Sequence, residues 1–377
     1  MPIRTRDDYE HTLQALGICV SNRIPVLLWG NPGEGKTAVV ESAAQQGWHV
    51  ETLIVSHYEP SDFAGLPVVG PAGSVDLAPP GWATRLAAVD GPSIAFFDEF
   101  STASPALQAA ALRPLTHYEV GSLKLPDTVS FVAAANPADV AAAGWELAAP
   151  TASRFVHLDW ALPVEVYAEC LVTGDWPAMP VESEVPDLGA AVRRELALVA
   201  GFLRIRDTQL SVIPQDAALR GRAFPTPRTW DYAARLSAYS RAIGAPKAVR
   251  RLLVTGCLGQ AVAHEYLAWT DAQDLPDPEL LLADVEGFDP EGLRPDRAYV
   301  LLQAVLGAVS RERSAERWTN AVRLCAKVGA AIGIDAAVPV VRALLRGGVR
   351  PSGAAVPSEI TVFAPALALA GLLPEPS

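Results

Sequence analysis

The stretch Gly30-Asn31-Pro32-Gly33-Glu34-Gly35-Lys36-Thr37 matches G-x-x-x-x-G-K-[ST], the pattern of a phosphate-binding loop. The apolar run 24–29 before it predicts a buried strand, and the run 37–46 after it predicts the start of a helix. Glycines let the backbone N–H groups of such a loop point at a nucleotide's phosphates, and the helix N-terminus adds its positive dipole end. Lys36 would reach the β- and γ-phosphates, and the Thr37 hydroxyl would hold Mg²⁺. The sequence therefore predicts a nucleotide site here.

Strand-like and helix-like patterns alternate along the first 160 residues. The apolar runs predict strands at 24–29, 50–55, 94–98, 129–135 and 155–158. Such alternation predicts an α/β fold, a mostly parallel five-stranded sheet flanked by helices. Ligands of these sheets lie at the carboxyl ends of the strands, which is where the phosphate-binding loop would be. Two short insertions, 66–77 and 118–125, each resemble a β-hairpin because turn-forming glycines separate two strand-like runs.

After residue 160 the pattern becomes helical. Apolar residues recur at helical spacing in 188–204, 229–243, 247–268, 297–312 and 314–332. The stretch 275–295 is rich in Asp, Glu and Pro and is interpreted as an acidic connection, and 360–373 as a buried C-terminal element. We therefore predict three parts: an α/β nucleotide-binding domain over 1–160, an α-helical lid over 161–272, and a helical region over 273–377 without an assigned role.

Composition restricts the class of protein. Half of the 377 residues are hydrophobic and 19% are charged, which is typical of a folded globular chain. The net charge of −12 disfavours generic nucleic-acid binding, because phosphate contacts dominate that affinity. The four cysteines are far apart and form no C-x-x-C pair, so free core thiols in a reducing compartment are expected. Residues 1–8 lack the apolar core of a signal peptide, and no apolar run reaches about 18 residues, so we expect a cytoplasmic protein without a membrane partner.

The run Ile94-Ala95-Phe96-Phe97-Asp98-Glu99 is an apolar strand that ends in two carboxylates. A buried strand would bring Asp98 out at the nucleotide end of the sheet, where it can bind Mg²⁺ through water. Glu99 could then orient and deprotonate an attacking water. The alternative without a function is a strand that simply ends in two solvated carboxylates. The functional interpretation is favoured because the strand follows Lys36 in an alternating α/β pattern.

Three further polar residues are candidates for the same chemistry. Asn136 follows the buried run 129–135, and a neutral amide there can hold the attacking water, although Asn-Pro is also a common turn. Arg154 stands just before the fifth strand and could reach a neighbouring subunit's γ-phosphate as a trans finger. Arg228 follows Pro-Thr-Pro at a predicted helix start, where it could contact the γ-phosphate from the lid of the same subunit.

Together these elements resemble an AAA+ ATPase of the MoxR-type branch, over roughly residues 1–270. The stretch 30–37 looks like Walker A and 97–99 like Walker B. Asn136 matches sensor 1, Arg154 the arginine finger and Arg228 sensor 2.

The two hairpins are similar to the helix-2 and pre-sensor insertions of that branch, and Pro60-Ser61-Asp62-Phe63-Ala64-Gly65-Leu66 looks like its Pro-x-Asp-x-x-Gly segment. The resemblance implies a hexameric ring with ATP at the subunit interfaces and a chaperone-like role on a protein client. It also implies a partner with a von Willebrand factor A domain. The polar residue expected after the second strand, which couples the client to hydrolysis, is either Ser56 or His57.

The resulting hypothesis is an ATPase that uses ATP, water and Mg²⁺. Catalytic roles fall to Glu99, Asn136, Arg154 and Arg228, and metal binding to Thr37 and Asp98. The nucleotide-contacting residues are Gly30, Asn31, Pro32, Gly33, Glu34, Gly35, Lys36, Thr37, Ala38 and Asp98.

Two other functions are alternatives. A nucleic-acid motor predicts basic residues on the hairpins, but 66–77 contains none and 118–125 only Lys124. A scaffold or switch that binds ATP without turnover would need neither Glu99 nor Arg154, so the presence of both residues disfavours this alternative. Among the aromatic residues, Trp29 is interpreted as packing rather than adenine stacking, and Trp82 and Trp145 as surface candidates for partner contact.

Overall fold

The computed structural model describes residues 5–70, 73–137, 144–181, 185, 188–272, 276–346 and 349–368. The chain divides into two compact units. The first comprises Met1–Pro186 with Leu210–His264, and the second comprises Asp187–Gln209 with Glu265–Ser377. The predicted lid, 161–272, is thus shared between the two units, and the three-part division stays a prediction.

Nine strands lie among the described residues of the first unit. They are β1 Val26–Trp29, β2 His49–Ile54, β3 Leu66–Val69, β4 Val75–Ala78, β5 Ser93–Asp98, β6 Glu119–Val120, β7 Leu123–Lys124, β8 Val129–Ala135 and β9 Val156–Asp159. Five of them form one parallel sheet in the order β2-β5-β8-β1-β9. Every residue of β1 and β8 is buried, as expected for central strands covered on both faces. The predicted five-stranded parallel sheet is confirmed.

The register of the sheet fixes its two ends. Val26 lies opposite Val132 and Val156, and Trp29 lies opposite Ala135 and Asp159. The carboxyl ends of β8, β1 and β9 therefore meet at one side, which we call the carboxyl end of the sheet. The opposite side is the amino end. Four residues of β1 separate the two ends by about 10 Å, at roughly 3.3 Å per residue.

Both predicted hairpins are present and touch each other. Strand β3 pairs with β4 and β6 with β7, each antiparallel, although residues 71 and 72 of the first turn lie outside the described residues. The Ser122 N–H donates to the Leu77 carbonyl over 2.8 Å. Gly121 has φ +59°, and a side chain there would lie 2.6 Å from the Leu77 oxygen. Only glycine permits this approach of the two hairpins.

Helices account for most of the remaining chain. In order they are α1 Arg6–Ser21, α2 Lys36–Glu41, α3 Ser61–Ala64, α4 Gly81–Ala87, α5 Pro105–His117, α6 Ala149–Ala152, α7 Val164–Thr173, α8 Leu188–Ile205, α9 Ala217–Arg220, α10 Pro227–Ala242, α11 Lys247–Leu258, α12 Gln260–Asp271, α13 Pro278–Ala283, α14 Pro295–Arg311, α15 Ala315–Ile332, α16 Val338–Leu345 and α17 Ala364–Ala368. Short 3₁₀ turns include Ser42–Gln46, Val55–His57, Phe100–Thr102 and Ser358–Phe363.

Two helical expectations need correction. The run 247–268 is two helices rather than one, because Gly259 has φ +77° and ends α11. The acidic stretch 275–295 is more than a connection, since it contains α13, whose N-terminus is capped by Asp277. A carboxylate at this position accepts from free helix N–H groups, so local acidity favours a helix start as readily as a loop.

Each unit has its own core. In the first, an aromatic cluster fills one side of the sheet, with Phe63, Trp82 and Phe131 all in ring contact with Phe97. Trp82 is only 2% exposed and its indole donates to the Asp62 carbonyl, so the expectation of a surface contact for Trp82 is wrong. The second unit is helical around a core that includes fully buried Trp318, Phe363 and Leu302; its helices α8 and α14 pack together.

The four cysteines are free and buried, as expected. Among the described residues, no helix combines the length and the apolar character needed to cross a membrane.

Candidate functional site

The loop after β1 has the backbone that its glycines predict. Gly33 and Gly35 have φ +81° and +78°, in the left-handed region that favours glycine. A side chain at Gly30 would lie 2.5 Å from the Trp160 carbonyl oxygen. The Trp160 indole in turn donates to the Glu34 carbonyl over 2.8 Å. Trp160, at the carboxyl end of β9, therefore holds the loop in place, a role that no sequence motif marks.

Lys36 links the loop to the carboxyl end of β8. Its ammonium donates to the carbonyl oxygens of Gly30 and Asn31 over 2.7 and 2.8 Å, and to Asn136 Oδ1 over 3.0 Å. Burial lowers the pKa of Lys36, while the carboxylates of Glu34 and Asp98 oppose that shift. All three ammonium protons thus have acceptors, and a phosphate at the loop would compete for them.

Thr37 links the loop to the end of β5. Its hydroxyl donates to Asp98 Oδ2 over 2.6 Å, and Asp98 Oδ1 accepts from the Glu99 backbone N–H over 2.8 Å. Hydroxyl and carboxylate oxygens are the donors that Mg²⁺ prefers, and Mg²⁺ usually keeps several waters and phosphate oxygens as its other ligands. In the part of the chain that the structure describes, no group of three or more His, Cys, Asp or Glu residues forms a metal cage. The pair Thr37–Asp98 therefore fits Mg²⁺ bound together with a nucleotide.

Glu99 has a special backbone conformation. Its φ of +56° is uncommon for a residue with a side chain and costs on the order of 1 kcal/mol or more. Its exposed carboxylate accepts a hydrogen bond from the Ser56 hydroxyl over 2.9 Å. Of Ser56 and His57, between which the sequence could not choose, Ser56 is the residue in contact with Glu99. The side chain of Glu99 is thereby held at the carboxyl end of the sheet.

Ser101 is a positioning residue that no sequence motif predicted. Its hydroxyl accepts from the Asn136 backbone N–H over 3.2 Å, and its carbonyl accepts from the Trp145 N–H over 2.8 Å. Ser101 is buried and lies two residues after Glu99. A serine so close to the paired carboxylates was the available signal, since a short polar side chain there can bond to the next strand.

The sheet order explains why these groups meet. Strands β2, β5, β8 and β1 are consecutive neighbours, and their carboxyl ends supply Ser56, the Asp98–Glu99 pair, Asn136 and the loop 30–37. The structure therefore brings together Lys36, Thr37, Asp98, Glu99 and Asn136. This cluster at the carboxyl end of the sheet is the candidate site.

Arg154 lies at the opposite end of the sheet. It precedes β9 by two residues, and its guanidinium donates to the Thr116 hydroxyl and the Pro150 carbonyl. Thr116 is in the last turn of α5, next to Tyr118, whose hydroxyl donates to the carbonyl of Arg23 just before β1. These contacts place Arg154 at the amino end, away from the loop of its own chain.

Arg228 accompanies Arg154. Burial lowers the pKa of Arg154, and the nearby positive charge of Arg228 lowers it further. The described ion pairs include neither guanidinium. No described contact joins Arg228 to the loop 30–37, so the expected role of Arg228 at its own chain's nucleotide has no support among the described residues. The two arginines form a positive pair at the amino end.

A buried stack lies behind the phosphate-binding loop. The Trp29 indole donates to His157 Nδ1 over 2.9 Å, and His157 Nε2 donates to the Ala152 carbonyl over 2.9 Å. The Arg222 guanidinium covers the Trp29 ring at 4.1 Å from its centroid and pairs with Asp159. Trp29 is thus enclosed by packing partners. Burial, then the charge of Arg222, lowers the pKa of His157 to about 4 and keeps it neutral.

Comparison with known proteins agrees with this geometry. Residues 25–155 match the family described as AAA domain, dynein-related subfamily. The match begins just before β1 and ends just before β9, so it includes four of the five strands of the parallel sheet, and this part of the chain is similar to an AAA domain.

Two solved structures are similar to parts of this chain at low sequence identity. One, from Cytophaga hutchinsonii, is provisionally described as an ATPase: identity is 14%, TM-score 0.39, and the match covers 74% of this chain and 89% of that one. The other is a full-length MCM homolog from Methanopyrus kandleri: identity is 17%, TM-score 0.36, and the match covers 71% of this chain and 56% of that one. No curated protein matches the sequence.

The neutral His157 generates a pH prediction. Its pKa is about 4 in the folded protein and 6.5 in the unfolded chain, so the unfolded chain binds more protons between these values. We expect the free energy of unfolding to fall as the pH drops from 6.5 to 4, with roughly 2–3 kcal/mol due to this residue. The amide of His157→Gln can make the hydrogen bonds to Trp29 and Ala152 but does not titrate, so this variant should lack the part of the pH-dependent stability loss that is due to His157. Urea unfolding of the native chain and of His157→Gln at pH 7 and pH 4.5 measures the free energy of unfolding at each pH. An equal loss of stability in the two proteins would contradict the assignment of this pH dependence to His157.

Proposed function

We propose that this protein hydrolyses ATP to ADP and phosphate in a Mg²⁺-dependent reaction, at sites shared between subunits of a ring, and uses the energy to remodel a protein client. The observation that carries the proposal is the junction of Lys36 with Asn136 and of Thr37 with Asp98 at one end of the sheet. A cation, a hydroxyl, a carboxylate and an amide placed in this way are the parts that phosphoryl transfer needs.

Binding of ATP would use the loop 30–37 and Ala38. Backbone N–H groups and the Lys36 ammonium would bind the phosphates in exchange for the carbonyl contacts that Lys36 makes in this structure. Thr37 and Asp98 would hold Mg²⁺, which supplies charge neutralisation for the phosphate oxygens.

Glu99 and Asn136 would act on the attacking water. The water oxygen forms a bond to the γ-phosphorus in line with the breaking bond to ADP, and the carboxylate of Glu99 accepts the proton. The Asn136 amide, fixed through Ser101, orients that water. The Ser56 hydroxyl holds Glu99 at a definite position, so a shift of β2 would change the alignment of the general base.

Arg154 and Arg228 would serve the nucleotide of a neighbouring subunit. They lie at the amino end of the sheet, which is separated from the carboxyl end by the length of β1, and they have no ion-pair partner among the described residues. Two uncompensated guanidinium groups suit a triphosphate brought by another chain. The contact joins the carboxyl end of one subunit to the amino end of the next, so it is heterologous, and such contacts form a ring where the rotation between subunits closes. The MoxR resemblance implies a closed ring of six subunits.

The hairpins are the proposed client contacts. They are linked through Ser122 and Leu77, and β3 and β4 expose several apolar side chains, namely Leu66, Val68, Val69 and Val75. Exposed apolar groups without basic neighbours suit a protein client better than nucleic acid. The von Willebrand factor A domain partner rests on the family resemblance alone.

Complementation between two inactive chains tests the shared site. We expect Lys36→Ala to abolish nucleotide binding and Arg154→Ala to lower turnover by ~10³-fold or more while leaving binding intact. Mixed in equal amounts they should recover turnover, to about a quarter of the native rate if subunits mix at random in a head-to-tail ring. The reason is that one chain keeps an intact loop and the other an intact arginine. The measurement is ATP turnover per subunit across a wide concentration range.

The control mixture is Lys36→Ala with Glu99→Gln, which should stay inactive because both changes damage the same end of the sheet. Recovery there, or native turnover that is independent of protein concentration with Arg154→Ala unaffected, would contradict the shared site.

The Ser56 contact predicts a difference between two adjacent residues. We expect Ser56→Ala to change the basal ATPase rate by several-fold or more, because Glu99 loses the hydroxyl that positions it, with little change in ATP affinity. His57→Ala is the matched control, since His57 is also exposed and adjacent, and its rate should remain native. Steady-state kinetics with a fluorescent ATP analogue for binding separate the two effects. Equal rates in all three proteins would exclude a positioning role for Ser56.

Nucleic acid should not stimulate turnover. The hairpins carry only Lys124 as a basic residue, so few phosphates can be neutralised. We expect the ATPase rate to be unchanged by single-stranded DNA, duplex DNA or RNA at low salt. Stimulation that declines steeply with added salt would instead favour a nucleic-acid motor.

A further inference from the structure

Helix α7 has an apolar face that its own chain does not cover. Val166 and Cys170, four residues apart, are buried and face the protein. The other side of the helix exposes large apolar and aromatic side chains to solvent. The exposed fractions are 82% for Val164, 46% for Tyr167, 61% for Leu171 and 87% for Val172, and 52% for Trp176 just beyond the helix end. A surface helix normally presents polar residues on this side. We call these five residues the α7 stripe.

Several contacts support the α7 stripe and its surroundings. The rings of Tyr167 and Trp176 pack together, with their centroids 6.1 Å apart. Arg6 of α1 bonds to Glu165 and Glu169 on the flank of the helix. Beyond the stripe, Met179 is fully buried, and its N–H donates to the Ser42 hydroxyl over 3.1 Å. Side chains that already contact their neighbours lose less conformational freedom on binding, which favours use of this surface as an interface.

The α7 stripe begins beside the nucleotide site. Only residues 161–163 separate the first turn of α7 from Trp160, whose indole bonds to the phosphate-binding loop. Arg222, close to this end of the sheet, is engaged by Trp29 and Asp159 of its own chain. In contrast, Arg154 and Arg228 lie at the other end of the sheet. Any copy that supplies these arginines must approach the carboxyl end, and α7 begins soon after Trp160 at that end.

We infer that the α7 stripe is a docking surface for a second copy of this chain, which brings its amino end with Arg154 and Arg228 to the nucleotide. This inference rests on the proposed function. Charge supports it, since Glu34, Asp98 and Glu99 make one end of the domain acidic while the arginine pair makes the other end basic. Size supports it too: the stripe exposes on the order of 500 Å² of surface, a large part of the ~800 Å² that each partner buries in a standard interface.

A charge placed in the stripe tests this inference. We expect Leu171→Asp in the full chain to raise the concentration needed for assembly by about tenfold or more, and the milder Val172→Ser to raise it several-fold. Leu280→Asp is the matched control, because Leu280 is a leucine of similar exposure, 70%, on α13; its assembly should stay native. Sedimentation velocity with and without Mg²⁺ and ATP gives the masses, and circular dichroism gives the folded state.

The readouts separate this inference from the ATPase proposal. Mass does not depend on turnover, so a native chain that assembles through the stripe without hydrolysing ATP would contradict only the proposed function. Assembly of Leu171→Asp and Val172→Ser at native concentrations, or an equal loss with Leu280→Asp, would overturn the inference. A native chain that stays monomeric with ATP at every concentration would assign the stripe to a different partner and also overturn it. If Leu171→Asp fails to fold, Val172→Ser decides the outcome.

Discussion

The parallel pairing of β1 between β8 and β9 is the constraint on which the rest of this site depends. It places the phosphate-binding loop beside Asn136 and Trp160 at one end of the sheet. The same register puts Arg154 at the other end, because Arg154 precedes β9 whereas the loop follows β1. A buried four-residue strand therefore brings together one part of the proposed catalytic site and keeps Arg154 of the same chain away from it.

This separation accounts for the proposed assembly. The candidate site holds a cation, a carboxylate pair and an amide, and the nearby Arg222 is already paired with Asp159; in the proposed assembly another chain supplies Arg154 and Arg228. The arginine pair at the amino end, without a described ion-pair partner, is the complementary half. The α7 stripe adds an apolar surface on a helix that begins near the acidic end, so charge and exposed area favour the proposed head-to-tail contact between copies.

Much of the fold was predictable from local patterns. Continuous apolar runs predicted the five parallel strands, and glycine-centred turns predicted both hairpins, because strand burial and turn conformation depend on neighbouring residues. The meeting of Lys36, Thr37, Asp98, Glu99 and Asn136 followed from the rule that parallel strands end at one side. The break at Gly259 and the burial of Trp82 were not predicted, since the apolar pattern continues through Gly259 and packing partners of Trp82 are distant in sequence.

The sequence by itself determined the phosphate-binding loop, the paired carboxylates and the succession of strands along the chain, because each depends on residues next to one another. Only the tertiary structure decided that Ser56 rather than His57 bonds to Glu99, that Ser101 and Trp160 hold the site, and that Arg228 lies beside Arg154. These outcomes depend on which elements pack together across long stretches of chain. Hydrophobic periodicity in the sequence indicates which face of a helix or strand is apolar, but the residues that pack against that face depend on the tertiary structure.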